Sequence, residues 1–197
     1  MKKTEIILFA ILILSFILDF LFVPYAELVF LFTVITIWFR YMLFGYALFN
    51  GVPINKAFKK DSFKEISTKR IWGGVFAGTA LGLLIVCVAF RLMHWKGSYI
   101  MSTNMLFLSS IILLICFVKL PKYNDGYYPR ILKQLVPAAS VVFILLLIPS
   151  IKWVELKYRN YPYYVKAMQE LDKNATLENE IKASEARDKM KAESGGY

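Results

Sequence analysis

Apolar residues in this chain come in long blocks separated by charged connectors, not in the alternation of a soluble core. Five blocks stand out, at 6–23, 28–49, 72–90, 99–118 and 135–151. Each is about twenty residues long, which crosses roughly 30 Å of hydrocarbon at about 1.5 Å per helical residue. Only helices satisfy the backbone of such segments in lipid, because an isolated strand would leave its N–H and C=O groups unpaired. The pattern therefore predicts an all-α, polytopic transmembrane helix bundle of about five spans over 1–151, followed by a helical, exported carboxy-terminal tail over 152–197. The first block is closed by Pro24, the second by Asn50, Gly51 and Pro53. The fifth is bounded by Pro137, read as lying in its first turn, and by Pro149.

The tail is a different material. Pro162 suits a first helical position, and Tyr164, Met168 and Leu171 follow at helical spacing. Beyond Asn174 apolar groups thin out, while Glu178 with Lys182 and Glu185 with Lys189 fall at i,i+4. A short amphipathic helix followed by a solvated one is expected, either as a docking element for a membrane or periplasmic partner or as a plain solvated tail. Asn174-Ala175-Thr176 fits a glycosylation acceptor, which matters only in a eukaryotic secretory route.

Composition agrees with the blocks: 58% of residues are hydrophobic and 19% charged, against about a quarter charged in soluble domains. The net charge of +10 is placed in alternate connectors. Lys56, Lys59, Lys60, Lys64, Lys69 and Arg70 occupy one, and Lys119, Lys122, Arg130 and Lys133 another. Alternation of this kind is the orientation signal of a membrane protein, and it puts the amino terminus inside. Nucleic-acid binding would need a continuous basic face instead. An odd number of spans then leaves the tail periplasmic, with its basic and acidic residues nearly balanced. Trp72, Trp95 and Trp153 fall at expected helix ends, as interface anchors. The start, Met1-Lys2-Lys3 before an apolar run, lacks a small-x-small cleavage site and is read as a retained span.

Cys87 and Cys116 sit on different blocks, about 20 Å apart along the helices, and are packing residues rather than a disulfide. Gly74, Gly78 and Gly82 line one face of the third block and predict close helix packing, with a neighbour in the same chain or in a second copy. Arg40, inside the second block, is expected to snorkel toward the cytoplasm. A polar cluster in the outer leaflet is the best chemical candidate: Asp19, Glu27, Arg91, His94 and Asn104. Its residues could carry protons or bind a small solute, or Asp19 could pair with Arg91 for assembly. No catalytic set, metal set or cofactor motif is present; one histidine supplies too few ligands for a typical zinc or haem site. Laying the first two blocks on the third and fourth pairs Phe16 with Phe90, Leu18 with Leu92, Tyr25 with Tyr99, Ile11 with Ile85 and Ile37 with Ile111. That register raises an internal duplication.

Phe90-Arg91-Leu92-Met93-His94-Trp95-Lys96-Gly97, with Met101 beyond it, resembles the F-K-x-x-H-W-P-G…M segment of GldL-type proteins. Those are inner-membrane proteins of the gliding and type 9 secretion motor of Bacteroidetes. The likeness covers residues 72–120. It implies a bacterial inner-membrane hairpin whose turn is exported. Lys96 stands where the family has proline, and the glutamate linked to proton coupling there would fall near Ser109, so motor activity is not implied. The function expected is a non-enzymatic assembly or partner-binding component of the inner membrane, able to meet a further copy of itself. The alternative is a small ion, proton or solute transporter or channel subunit.

Overall fold

The computed structural model describes residues 2–95, 97–122 and 126–193. Lys96, at the departure from the GldL-type segment, and the end of the tail beyond Glu193 lie outside that description. Among the described residues every regular element is helical. The α-helices are α1 (Lys2–Phe20), α2 (Ala26–Asn50), α3 (Thr68–Leu92), α4 (Ser98–Lys119), α5 (Tyr127–Leu147), α6 (Ser150–Lys157), α7 (Pro162–Lys173) and α8 (Leu177–Glu193).

Among the described residues, four segments are long and apolar enough to cross a bilayer: Ala26–Asn50, Thr68–Leu92, Ser98–Lys122 and Tyr127–Leu147. The expected first span is not among them, because α1 carries Lys2, Lys3, Glu5 and Asp19 within its length. The fifth block also differs from expectation. Its helix starts at Tyr127 rather than at 135 and ends at Leu147, so Pro137 lies in its interior. A proline there has no N–H for the carbonyl one turn back. The flanking turns still wind as helix, since packing of Ile131, Leu135, Ala139 and Val142 holds them.

The chain divides into two compact units: Met1–Ala10 with Leu31–Leu147, and Ile11–Phe30 with Ile148–Tyr197. This is not the split at residue 151 that composition suggests, because the α1–α2 turn belongs with the tail. In the first unit α3 is central, packing on α4 and α5 and on α2. Its glycine face meets α2 within the same chain. A Cβ on Gly74 would lie 2.8 Å from the Tyr46 Cα, and one on Gly82 2.8 Å from the Trp38 ring. A Cβ on Gly78 would strike the Tyr41 carbonyl oxygen and lie 2.8 Å from the Gly45 Cα. Gly45 completes the contact from the α2 side. Backbone-to-backbone approach of this kind replaces hydrophobic burial as the source of cohesion between helices in lipid.

Helix α4 is inside out by soluble standards. It buries Ser98, Ser102, Ser109 and Cys116, while Phe107 is 71% exposed and Leu114 65%. Small polar side chains face the helices and large apolar ones face outward, which is stable only when the surroundings are apolar. Cys87 and Cys116 are both buried free thiols.

The second unit contains a folded tail, not a solvated one. Val154, Tyr164 and Met190 form a core from α6, α7 and α8, flanked by Tyr158, Met168 and Ala186. The Asn174-Ala175-Thr176 segment is a helix entrance: Thr176 Oγ1 accepts the Asn179 N–H at 3.3 Å, and Asn179 Nδ2 donates to the Asn174 carbonyl at 2.8 Å. Glu178 pairs with Lys182 at 2.6 Å, whereas Lys189 sits 4.8 Å over the Tyr163 ring.

The two interhelical turns α1–α2 and α3–α4 share one backbone pattern, in a register that sets Tyr25 against Gly97 rather than against Tyr99. Val23 N–H donates to Leu18 and Trp95 N–H to Phe90, at 2.9 and 3.0 Å. Phe22 to Asp19 matches His94 to Arg91, Ala26 to Val23 matches Ser98 to Trp95, and Val29 to Tyr25 matches Met101 to Gly97. Phe22 and His94 both take positive φ, 58° and 56°, as do Tyr25 at 64° and Gly97 at 82°. Each helix thus ends in a six-to-one bond around a left-handed residue. In the same register, the buried residues Ser15, Ala26, Phe30 and Ile37 correspond to Cys87, Ser98, Ser102 and Ser109. Turn geometry fixes the register here; identities between apolar residues do not.

The α2–α3 contact gives a direct expectation. Gly78→Ala should destabilise the protein by about 1–3 kcal/mol, the usual cost of overpacking, because backbone on α2 cannot yield. Gly73→Ala, whose Cβ would meet the tip of the Tyr127 side chain at 2.6 Å and no backbone, should cost less. Thermal unfolding of both variants in detergent tests the contrast, and equal losses would refute it.

Candidate functional site

Three polar groupings stand out, two in the first unit and one in the second. In the first, Arg40 lies about 3 Å from the midpoint of the 25-residue α2 and about 15 Å from its end. Its side chain turns to α1 rather than along α2 toward that end. It pairs with Glu5 of α1 at 3.8 Å, with the two side chains 12% and 19% exposed. Tyr41 Oη donates to the same Glu5 carboxylate at 3.4 Å. The snorkelling expectation for Arg40 is therefore corrected. A buried guanidinium without a partner costs more than a paired one, and a carboxylate on the neighbouring helix neutralises it.

The second grouping surrounds Arg91, which is only 3% exposed. Its Nη2 donates to the Leu145 carbonyl at 2.9 Å, and its guanidinium lies 6.0 Å from the Tyr99 ring centroid. Arg91 thus ties the end of α3 to the end of α5 and to α4. Near the last turn of a helix a cation also opposes the negative end of the dipole. His94 follows in the turn with its backbone left-handed, a conformation costing about 1 kcal/mol for a non-glycine residue. Trp95 packs on Phe90 with ring centroids 4.6 Å apart and is 41% exposed. Asn104 faces outward from α4.

The third grouping holds Asp19, whose partner is Lys157 of α6 at 2.6 Å. Both side chains are largely buried, at 13% and 15% exposure. Phe22 packs edge-on against Tyr158 and Tyr161, with centroids 5.6 and 5.8 Å away. Glu27, exposed in the first turn of α2, adds negative charge near Tyr158. Burial pushes the Tyr158 hydroxyl well above its ordinary ionisation range, and Tyr164, Asp19 and Glu27 act in the same direction, against Arg187. Tyr158 therefore stays neutral and packs as an aromatic ring. On the outside of the tail, the Lys152 hydrogen bond holds the Glu155 carboxyl below its usual range, helped by Gln169.

No protein family, no curated protein and no solved structure matches the chain.

Of the five residues expected as an outer cluster, Asp19 pairs with Lys157, and Arg91 donates to the Leu145 carbonyl. Among the described residues, no three His, Cys, Asp or Glu side chains gather as a metal set. The basic connectors also hold helix ends together. Arg130 Nη1 donates to the Phe49 carbonyl at 3.2 Å, and the Tyr127 hydroxyl to the Arg70 carbonyl at 3.1 Å. Asn50 Nδ2 donates to the Tyr46 and Arg70 carbonyls at 2.7 and 3.3 Å.

Sequence reasoning missed Glu5, Tyr41, Lys157 and Tyr158. A pairing of Glu5 with Arg40 was within reach. The α1–α2 turn runs from Phe20 to Ala26, and Glu5 and Arg40 stand almost equally far from it along their helices. Counting outward from the turn of an antiparallel hairpin brings those positions to one level. The Lys157 contact had no such signal.

Removing one partner should expose the value of the Glu5–Arg40 pair. Glu5→Gln is expected to lower stability by about 3 kcal/mol, the lower end for breaking a buried pair. Glu5→Gln with Arg40→Met should recover most of that loss. Unfolding in detergent across the four-member cycle measures it; additive losses would contradict coupling.

Proposed function

We infer that this chain is a non-enzymatic component of a bacterial inner membrane that holds or recruits other proteins through its helical tail. In this reading α1 joins the four apolar spans as a fifth, with its charge neutralised through Glu5 and Arg40. The amino terminus and the connector carrying Lys56 to Arg70 then lie in the cytoplasm, and α6–α8 in the periplasm, in keeping with the alternation of basic connectors. The observation that carries the reading is the built tail. Three helices pack around Val154, Tyr164 and Met190 and are latched through Lys157 to Asp19. A segment held in a fixed form costs less to order when it meets a partner than a free tail would. Its last helix displays Leu177 at 74% exposure and Ile181 at 50%, one turn apart on an otherwise charged surface. The likeness of residues 90–97 to the GldL-type segment favours a place in a bacterial membrane assembly, without the glutamate associated with proton coupling.

Replacing both apolar residues, Leu177→Glu with Ile181→Glu, should strip specific proteins from the intact chain after crosslinking in native membranes and affinity capture. Recovery of an unchanged set of proteins would remove the basis of this reading.

A second reading, a small transporter or channel subunit, is favoured by one observation: a carboxylate, a guanidinium and a phenol meet between α1 and α2 at Glu5, Arg40 and Tyr41. Intramembrane ionisable groups of this kind commonly mark ion or proton paths. If the protein conducts protons, Glu5→Gln should reduce flux at least tenfold in reconstituted liposomes; equal flux from both proteins would end this reading.

A further inference from the structure

The connector between α2 and α3 is folded, charged and greasy at once. Two short 3-10 turns, Ile54–Lys56 and Lys60–Phe63, carry it. They are fastened beneath by Ala47, Val52 and Ala57, with Phe44, Tyr46, Phe63 and Ile66 around them. The Tyr46 hydroxyl donates to the Ala57 carbonyl at 3.0 Å, so the loop is pinned to α2. Yet Phe58 is 83% exposed, although its ring touches Phe44 edge-on at 5.9 Å. Beside it opens a cavity of about 250 Å³, lined by Tyr46, Phe58, Lys59, Lys60, Phe63 and Ile71. Its walls are apolar, and Lys59 and Lys60 contribute to them.

Both flanking helices are candidate spans, so covalent geometry holds this connector at the end of the apolar region. An exposed phenylalanine there is stabilised by acyl chains, while lysines at that depth meet headgroups. Lys56, Lys59, Lys60 and Lys64 outnumber Asp61 and Glu65 in the connector, and Lys64 is already paired with Asp61 at 2.8 Å. The remaining charge is positive. The cavity is smaller than the roughly 300–1,000 Å³ of an enclosed small-molecule site, but a stretch of hydrocarbon chain suits an open apolar trough of this size. We propose that the Phe58–Lys59–Lys60 cavity binds an anionic phospholipid, with acyl chain against Phe58 and Phe63 and phosphate beside Lys59 and Lys60. The site shares no residue with the tail or with the Glu5–Arg40 pair, and does not depend on either functional reading.

The test uses the full-length protein, purified in detergent and offered equal amounts of phosphatidylglycerol and phosphatidylcholine, with retained lipid counted by native mass spectrometry. The native chain should retain phosphatidylglycerol preferentially. Each lysine near an anionic surface accounts for about a fivefold preference, so Lys59→Gln with Lys60→Gln should lower it by more than tenfold. Phe58→Ser should lower retention of both lipids and leave the headgroup preference in place. Lys166→Gln with Lys173→Gln, the same charge change on the exposed side of the tail, should leave retention unchanged. Excess inorganic phosphate should fail to displace the lipid. Equal retention of the two lipids, an unaltered preference in the Lys59/Lys60 variant, an equal loss in the tail control, or full displacement by phosphate would each overturn the proposal.

Discussion

Hydrocarbon offers a helix nothing to hydrogen-bond with and no hydrophobic drive toward its neighbour, so helices in it must cohere by close contact. In this protein that constraint is met where α2 crosses α3, at Gly45, Gly74, Gly78 and Gly82. The backbones come so near that a methyl group on Gly78 would run into the Tyr41 carbonyl. The same rule shapes α4, which turns Ser102, Ser109 and Cys116 inward and its large side chains out. Small residues inside the bundle are a condition of packing in lipid, not a deficit of core.

Once helices are in contact, their polar groups become clamps. Arg91 reaches a carbonyl at the end of α5, Arg130 one at the end of α2, and Asn50 and Tyr127 meet at the Arg70 carbonyl. The first two satisfy carbonyls that a helix terminus leaves without an internal partner. Charged side chains that look like chemistry in the sequence are thereby committed to architecture. Glu5 with Arg40 differs from these bonds to carbonyls, since it joins two ionisable groups at 3.8 Å, one of them midway along its helix.

In the second unit the tail helices α6, α7 and α8 follow soluble rules. Its core is aromatic and compact, centred on Val154, Tyr164 and Met190, and its surface pairs are short-range ones such as Glu178 with Lys182. The α1–α2 turn contributes Asp19 and Phe22 to it. The α3–α4 turn follows the same backbone path but carries Arg91 and His94 at the equivalent places. One turn geometry therefore serves two contacts of opposite charge: an acid that receives Lys157, and a base that donates to a carbonyl.

Block length and apolar content alone determined that the chain is helical and suited to a membrane, because a stretch of about twenty apolar residues has few other stable forms in lipid. The glycine spacing at 74, 78 and 82 and the start of α7 at Pro162 were legible for the same local reason: periodicity and backbone preference act over a few residues. Partners were not legible. Nothing near Asp19 in the chain announces Lys157, 138 positions away, and nothing near Arg40 names Glu5 until the hairpin is closed. The helical course of α5 through Pro137 and the packed tail likewise required tertiary contacts. Contacts between distant residues depend on how turns set one helix against another, and that geometry is a property of the assembled chain rather than of any stretch of it.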